Sequence, residues 1–468
     1  MILRSGLRHL VPRRPGSISE GVVIGIATAI LVAVLIGSAT ARTLVTLVGA
    51  TPGDTFGGAV AAAGDLNGDG FGDVVVGAYQ CDAGGLDAGR AYVYYGGRAV
   101  DAKPDLYLTG EAAGDLFGVS VASAGDVNRD GFPDLIVGAH ENDAFGANSG
   151  RAYIYFGGPG VDSKPDVVLS GEAAGDAFGY SVASAGDVNG DGCADVVVGA
   201  YENSARAGGA GRAYVFFGGA QMDNSPDLVF TGEAAGDYFG ISVASAGDLN
   251  GDKYGDVIVG AYQNDIGGRD AGRAYVFFGG PRADDRPDLT LTGVAAGDAF
   301  GFSVAPAGDV NKDGTADVIV GAYHNDAGGA DAGRAYVFFG GVRPDARPDL
   351  ILTGDAAGDA FGFAVAGGGD LNGDGFSDVI VGGYGSDAGG SAAGRAYVYF
   401  GGTPPDAVSD FTVTGEATLD NLGYAVSGGS DLDGDGFGDV AVAAPFGDAG
   451  RVYLCSPVSG KQKPVAGR

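Results

Sequence analysis

The residues best suited to chemistry lie in one short loop. Asp187, Asn189, Asp191 and Asp195 occupy positions one, three, five and nine of a stretch that runs GDVNGDGCADVVVGAY from Gly186. Alternating hard oxygen donors, with the backbone carbonyl of Cys193 at position seven, make the ligand set that Ca²⁺ prefers. Gly192 at position six permits the sharp turn that points alternate oxygens inward. A plain Asx-rich turn explains the Asn and the Gly. It does not explain three carboxylates within nine residues, which repel one another without a cation. An EF-hand is excluded, because no Glu stands at position twelve and the flank is valine-rich. No zinc pattern surrounds Cys193.

The loop is one of seven, spaced 61 residues apart. The first holds Asp65, Asn67, Asp69 and Asp73 around Phe71, and the second Asp126, Asn128, Asp130 and Asp134 around Phe132. The fourth holds Asp248, Asn250, Asp252 and Asp256 around Tyr254, and the fifth Asp309, Asn311, Asp313 and Asp317 around Thr315. The sixth is Asp370, Asn372, Asp374 and Asp378 around Phe376. The seventh is the most acidic, with Asp431, Asp433, Asp435 and Asp439 around Phe437. Because position seven tolerates Phe, Cys, Tyr and Thr, only its carbonyl is expected to face an ion. Up to seven Ca²⁺ are expected. The Asp248 loop should be the weakest, since Lys253 replaces the turn glycine. A left-handed lysine costs about 1 kcal/mol, and its charge opposes the cation.

A fixed period decides the architecture that positions these loops. In the third repeat, residues 178–183 alternate like a half-buried strand, and 195–200 form a β-branched run buried on both faces. Residues 211–219 and 226–232 read as two further strands, the last opened by Pro226 as at a sheet edge. Four short strands in each of seven repeats predict an all-β, seven-bladed propeller. The seventh repeat lacks its fourth strand, while residues 43–49 form a strand without a repeat. That N-terminal strand is therefore expected to complete blade seven and close the ring.

The flanks read differently. Arg4, Arg8, Arg13 and Arg14 precede an apolar run from Val22 to Ile36, and Ala39-Thr40-Ala41 fits a cleavage site. Residues 1–41 are thus a secretory signal peptide, or else an uncleaved anchor through residues 22–37. The expected domains are that leader, a propeller over 42–457 and a polar tail over 458–468. The product is expected outside the cell or in a periplasm. A net charge of −32 excludes a nucleic-acid partner. Three cysteines make no disulfide framework, and Cys81 and Cys455 fall at opposite faces.

The Phe178-Gly179 and Gly199-Ala200-Tyr201 segments, with a D-x-[ND]-x-D-G-x-x-D loop between them, resemble FG-GAP repeats. Such repeats build the seven-bladed N-terminal propeller of integrin α-subunits. The resemblance spans about residues 43–456 and implies calcium in the hairpin between the first two strands. The family's leg domains and C-terminal membrane helix have no counterpart here, so an integrin subunit is not expected. In that family the face opposite the calcium carries ligand and partner contacts. The equivalent loops should display Tyr79, His140, Glu141, Tyr201, Glu202, Tyr262, Tyr323, His324 and Tyr384, together with Gln80, Asn142, Asn203, Gln263, Asn264 and Asn325. An extracellular protein or polysaccharide is the expected ligand, bound without catalysis. No nucleophile elbow, HExxH or P-loop occurs. The alternatives are a polysaccharide- or lipid-acting enzyme related to FG-GAP-bearing hydrolases and lyases, or a structural envelope protein. Seven recurring arginines, from Arg90 to Arg451, are expected to pair with nearby Asp. Ser120, Ser181, Ser242 and Ser303 are expected to pack inside strands.

Overall fold

The computed structural model describes residues 42–220 and 222–457. The expected leader and the polar tail lie outside the described residues. The chain forms seven four-stranded antiparallel sheets, six of them running in sequence order from the inner to the outer strand. In blade three these are Phe178–Gly186, Asp195–Ala200, Arg212–Phe216 and Leu228–Thr231. Pro226 lies just outside the last of them. The first strands of successive blades touch around the ring, and that of blade seven returns to blade one. Blade seven combines Ala425–Gly428, Val440–Ala444 and Arg451–Ser456 with the N-terminal strand Arg42–Val48. Leu47 pairs with Val452 across that seam and is fully buried. The ring is thus closed by hydrogen bonds between the two ends of the propeller.

The core lies between blades rather than within them. Each of seven apolar clusters takes side chains from two neighbouring blades, such as Ile136 and Leu169 with Val196 and Phe216. The second strands are buried along their whole length, which explains why they read as unbroken β-branched runs. Glycine is required where blades approach most closely. A Cβ on Gly138 would collide with the carbonyl oxygen of Gly179 in the next blade, and Gly179 itself has φ +88°. Ser120 and Ser181 do more than pack: each hydroxyl donates across to the next blade, to the carbonyls of Gly179 and Gly240, both at 2.9 Å. Ser242 and Ser303 instead accept from the N–H of Val304 and Val365. Among the described residues, one short 3₁₀ turn, Asp326–Gly328, departs from the β architecture. No helix among them is long and apolar enough to cross a membrane.

Candidate metal loops and channel face

The acidic loops join the first and second strands of each blade. In blade three, Asp187 Oδ1 accepts from the N–H groups of Gly190 and Asp191 at 2.7 and 3.0 Å, and its Oδ2 from Gly192 at 2.9 Å. Asn189 Oδ1 accepts from Asp191 N–H at 2.8 Å, and Asp191 Oδ1 from Cys193 N–H at 2.9 Å. These bonds curl the loop so that the side chains at positions one, three and five converge. Asp195 at position nine is fully buried and accepts from Val188 and Gly218 N–H, both at 2.8 Å. Burial pushes its carboxyl up to about 7, against the pull of those two N–H groups, and the charges of Asp191 and Asp187 add to the rise. Asp73, Asp256, Asp317, Asp378 and Asp439 are raised to about 7 as well, and Asp134 to about 6.

Blade seven differs in one atom. In the other six blades the second oxygen of the position-nine Asp accepts from a glycine N–H beyond the third strand, from Gly96 to Gly401. Asp439 Oδ1 is buried with no hydrogen-bond partner among the described residues. Its carboxylate converges with those of Asp431 and Asp433, one oxygen from each lying within 4.8 Å of the others. Arg42 Nη1 approaches Asp433 to 3.8 Å.

Each loop also braces the next. The carbonyl of Asp187 accepts from Gly255 N–H at 2.8 Å, and that of Val188 from Gly280 N–H at 2.7 Å. Lys253 is left-handed, with φ 77°, yet its N–H still reaches Asp248 Oδ2 at 2.9 Å, as Gly192 reaches Asp187. Sequence reasoning missed two more such residues at position four, Arg129 and Lys312, with φ 60° and 61°. Arg129 Nη1 donates to the Asp191 carbonyl of the next loop at 3.1 Å. Side chains at position seven turn toward the preceding blade, where Phe132 lies against Gly68 and Tyr254 against Gly190.

At the opposite face, inner-strand residues of all seven blades surround a depression of about 480 Å³. An arc of aromatic rings runs around it. His140 meets Tyr180 at 5.2 Å, and Tyr180 meets Tyr201 at 4.6 Å. The arc continues through Tyr238 to Tyr262 and Phe302, then to Tyr323, Phe363, Tyr384, Tyr424 and Phe446. Tyr79 instead lies over Gly58, where a Cβ would strike its ring. Burial pulls the His140 imidazole down to about 4, so the ring is neutral at physiological pH, and its Nδ1 has no partner among the described residues. His324 is exposed, lies against Tyr323 with the rings tilted by 38° at 4.0 Å, and meets Asp331 at 2.8 Å. Glu202 is exposed and Glu141 half-buried at the rim, where burial, Asp143, Asp87 and Glu202 raise the Glu141 carboxyl.

The asparagines are not displayed. Asn142, Asn203, Asn264 and Asn325 are buried. Asn142 donates to Asp115 Oδ2 at 3.0 Å and accepts from Ala144 N–H at 3.0 Å, so it pins the loop corner. Its amide hydrogens go to Asp115 and to Tyr153 Oη at 3.5 Å while its oxygen closes the turn, so the amide has nothing left for a ligand. Missed altogether were Tyr180, Phe302, Phe363 and Tyr424 at the centre of the depression. The available signal was variety: the third position of the inner strand holds Gly58, Val119, Tyr180, Ile241, Phe302, Phe363 and Tyr424, while its neighbours repeat.

The FG-GAP repeat model matches residues 56–94, 117–155, 178–216, 239–277, 300–338, 361–399 and 422–455, over half of the chain. The chain belongs to the FG-GAP repeat family. Integrin alpha-5 of Xenopus laevis is 35% identical over 226 residues, 45% of this chain and 20% of that protein. Integrin alpha-IIb of Mus musculus is 39% identical over 166 residues, 33% of this chain and 16% of that protein. Integrin alpha-7 of Rattus norvegicus is 41% identical over 155 residues, 32% and 13% of the two chains. The aligned segments thus span a fifth or less of these relatives. Among solved structures, the crystal structure of BBS1N in complex with ARL6DN, soaked with mercury, superposes with a TM-score of 0.54 at 11% identity. It covers 90% of this chain and 98% of that one, a likeness of fold alone.

Each FG-GAP blade also opens its third strand with an arginine. Arg151, Arg212 and Arg273 reach Glu111, Glu172 and Glu233 at 2.6, 2.8 and 3.0 Å, and Arg395 reaches Asp355 at 3.3 Å. Arg451 lies 3.6 Å from Glu416 and 3.3 Å from Asp448. The expected partner was Asp; in most blades it is Glu, supplied by the blade before. The longer side chain spans the gap between neighbouring sheets.

Proposed function

We propose that this chain is a calcium-stabilised propeller that works outside the cell as a non-catalytic adhesion module, binding a protein or polysaccharide at its channel face. The observation that carries this reading is the division of labour between the two faces. The acidic loops fit a hard divalent cation, because their donors are all oxygens and Asp439 buries an oxygen without a hydrogen-bond partner among the described residues. Asp187, Asn189, Asp191 and Asp195, with the Cys193 carbonyl, would hold the ion in blade three, and the matching residues in the other blades. Bound cations neutralise carboxylates that otherwise repel, and so hold each hairpin and its neighbour in register. The channel face offers half-buried Tyr201, Tyr262 and Tyr323 on loops, the residue type that supplies contact area at low entropic cost. The integrin relatives support an adhesive role, and the leader-like residues 1–41 support export.

Binding of the full chain, with Ca²⁺, to arrays of matrix proteins and glycans tests the reading. A ligand should bind wild type and be lost from Tyr201→Ala and Phe302→Ala variants whose melting temperatures stay near wild type. Turnover of an array substrate would support an enzyme instead. Failure to bind anything would support a structural envelope role.

A further inference from the structure

The seven equivalent arginines act as internal controls for one another, and the one in blade one lacks its carboxylate. Where Arg151, Arg212 and Arg273 meet Glu, the position facing Arg90 is Ala50. Arg90 is left with Thr109 Oγ1, 3.2 Å from Nε, and with the rings of Tyr92 and Tyr107, 5.8 and 5.3 Å from its guanidinium carbon. Among the described residues it makes no ion pair. A groove of about 510 Å³ opens at this spot, lined by Val48, Ala50, Arg90, Tyr92, Pro104 and Tyr107 among others. The equivalent groove of blade three is smaller, about 340 Å³, and there Glu172 takes the place of Ala50. Tyr107 is a second departure: the matching residues are Val168, Val229, Thr290, Ile351 and Thr412. It is 45% exposed, so an aromatic ring stands open beside an arginine that has no carboxylate. Blade five also lacks the acid, with Val294 facing Arg334, but it carries Ile351 where blade one has the tyrosine.

We propose that this groove, at the outer seam between blades seven and one, binds a sugar bearing a single carboxylate. The ligand's carboxylate would take the place that Glu172 fills in blade three, and its ring would lie against Tyr107. A guanidinium matches a carboxylate with two parallel hydrogen bonds. The groove falls within the range of about 300–1,000 Å³ usual for small-ligand clefts. The flat, exposed tyrosine favours a pyranose over an acidic side chain of a peptide, which needs no such platform. The net charge of −32 favours one carboxylate over a polyanionic chain, which the surrounding surface would repel. The groove shares no lining residue with the channel depression and is independent of what the channel face binds.

Calorimetric and ligand-observed NMR titration of the full chain with D-glucuronate tests this, with glucose, acetate and an acidic tetrapeptide as comparisons. Glucuronate should bind at least about tenfold more tightly than glucose or acetate, and Arg90→Gln should weaken it by a similar factor. The decisive variant is Ala50→Glu, which rebuilds the pair found in other blades. It should abolish glucuronate binding while leaving the melting temperature unchanged or higher. Undiminished binding by Ala50→Glu, no binding to wild type, acetate binding as well as glucuronate, or displacement of the sugar by a tighter-binding acidic peptide would each overturn the proposal.

Discussion

The two faces of the ring treat repetition in opposite ways. On the loop face, Asp stands at positions one, five and nine in all seven copies, and position-nine Asp accepts from the backbone N–H at position two, from Leu66 to Leu432. On the channel face, one backbone position holds Gly58, Val119, Tyr180, Ile241, Phe302, Phe363 and Tyr424. The loop residues answer to groups that the fold itself supplies, namely buried N–H donors and neighbouring carboxylates. Most of the channel residues line the depression, where the blade sets no fixed residue type and side chains are free to serve a ligand. Repetition in this ring therefore marks structure, and departure from repetition marks the places where something else decides.

The largest test of that contrast is removal of divalent cations. Stripping ions that bind only the folded ring should lower the melting temperature by about 10 °C or more, because each site saturated a hundredfold contributes about 2.7 kcal/mol. Calorimetry with Ca²⁺ and with EDTA reads this directly, and identical melts would end the distinction between the faces. Next in size is a pair of substitutions. Asp195→Ala strands the buried N–H groups of Val188 and Gly218 and should cost about 4 kcal/mol in chemical denaturation. Tyr201→Ala gives up ring contacts at a half-buried site and should cost about 1 kcal/mol. Equal losses would show that the channel face is structural too. A further effect is confined to acid. The folded-state value of His140, about 4, lies below its free value of 6.5, so the unfolded chain takes up a proton first as pH falls. The contribution of neutral His140 is complete above pH 6.5 and is lost as pH drops toward 4, by up to about 3 kcal/mol. Comparing unfolding of wild type and His140→Tyr between pH 7 and 4 isolates it. A constant difference across that range would mean that the imidazole is not sheltered.

Much of this was legible because the sequence repeats itself. The 61-residue period, the β-branched second strands and the spare N-terminal strand were enough to expect seven blades and a closed ring. The donor spacing of Asp187, Asn189, Asp191 and Asp195 was equally plain, since alternate residues of a tight loop turn the same way. What escaped notice depends on neighbours distant in sequence. Asn142 reads as a surface residue until Asp115, 27 positions earlier, is seen to bury its amide. Tyr180 reads as one residue of a strand until its counterparts from six other blades are brought around one axis. Arg129 reads as a poor turn residue until its guanidinium is seen to cross to the Asp191 carbonyl.

By itself the sequence determined the local chemistry: strand from β-branched runs, turns from glycine with positive φ, and hard oxygen donors at alternate positions. These follow from contacts within a few residues and need no knowledge of the rest of the chain. Only the tertiary structure decided which blades share a core, which carboxylates are buried, and which rings meet at the channel. It also decided that Ala50 faces Arg90. That pairing joins the N-terminal strand to blade one across the seam, where closing the ring, rather than any local propensity, sets the two residues side by side.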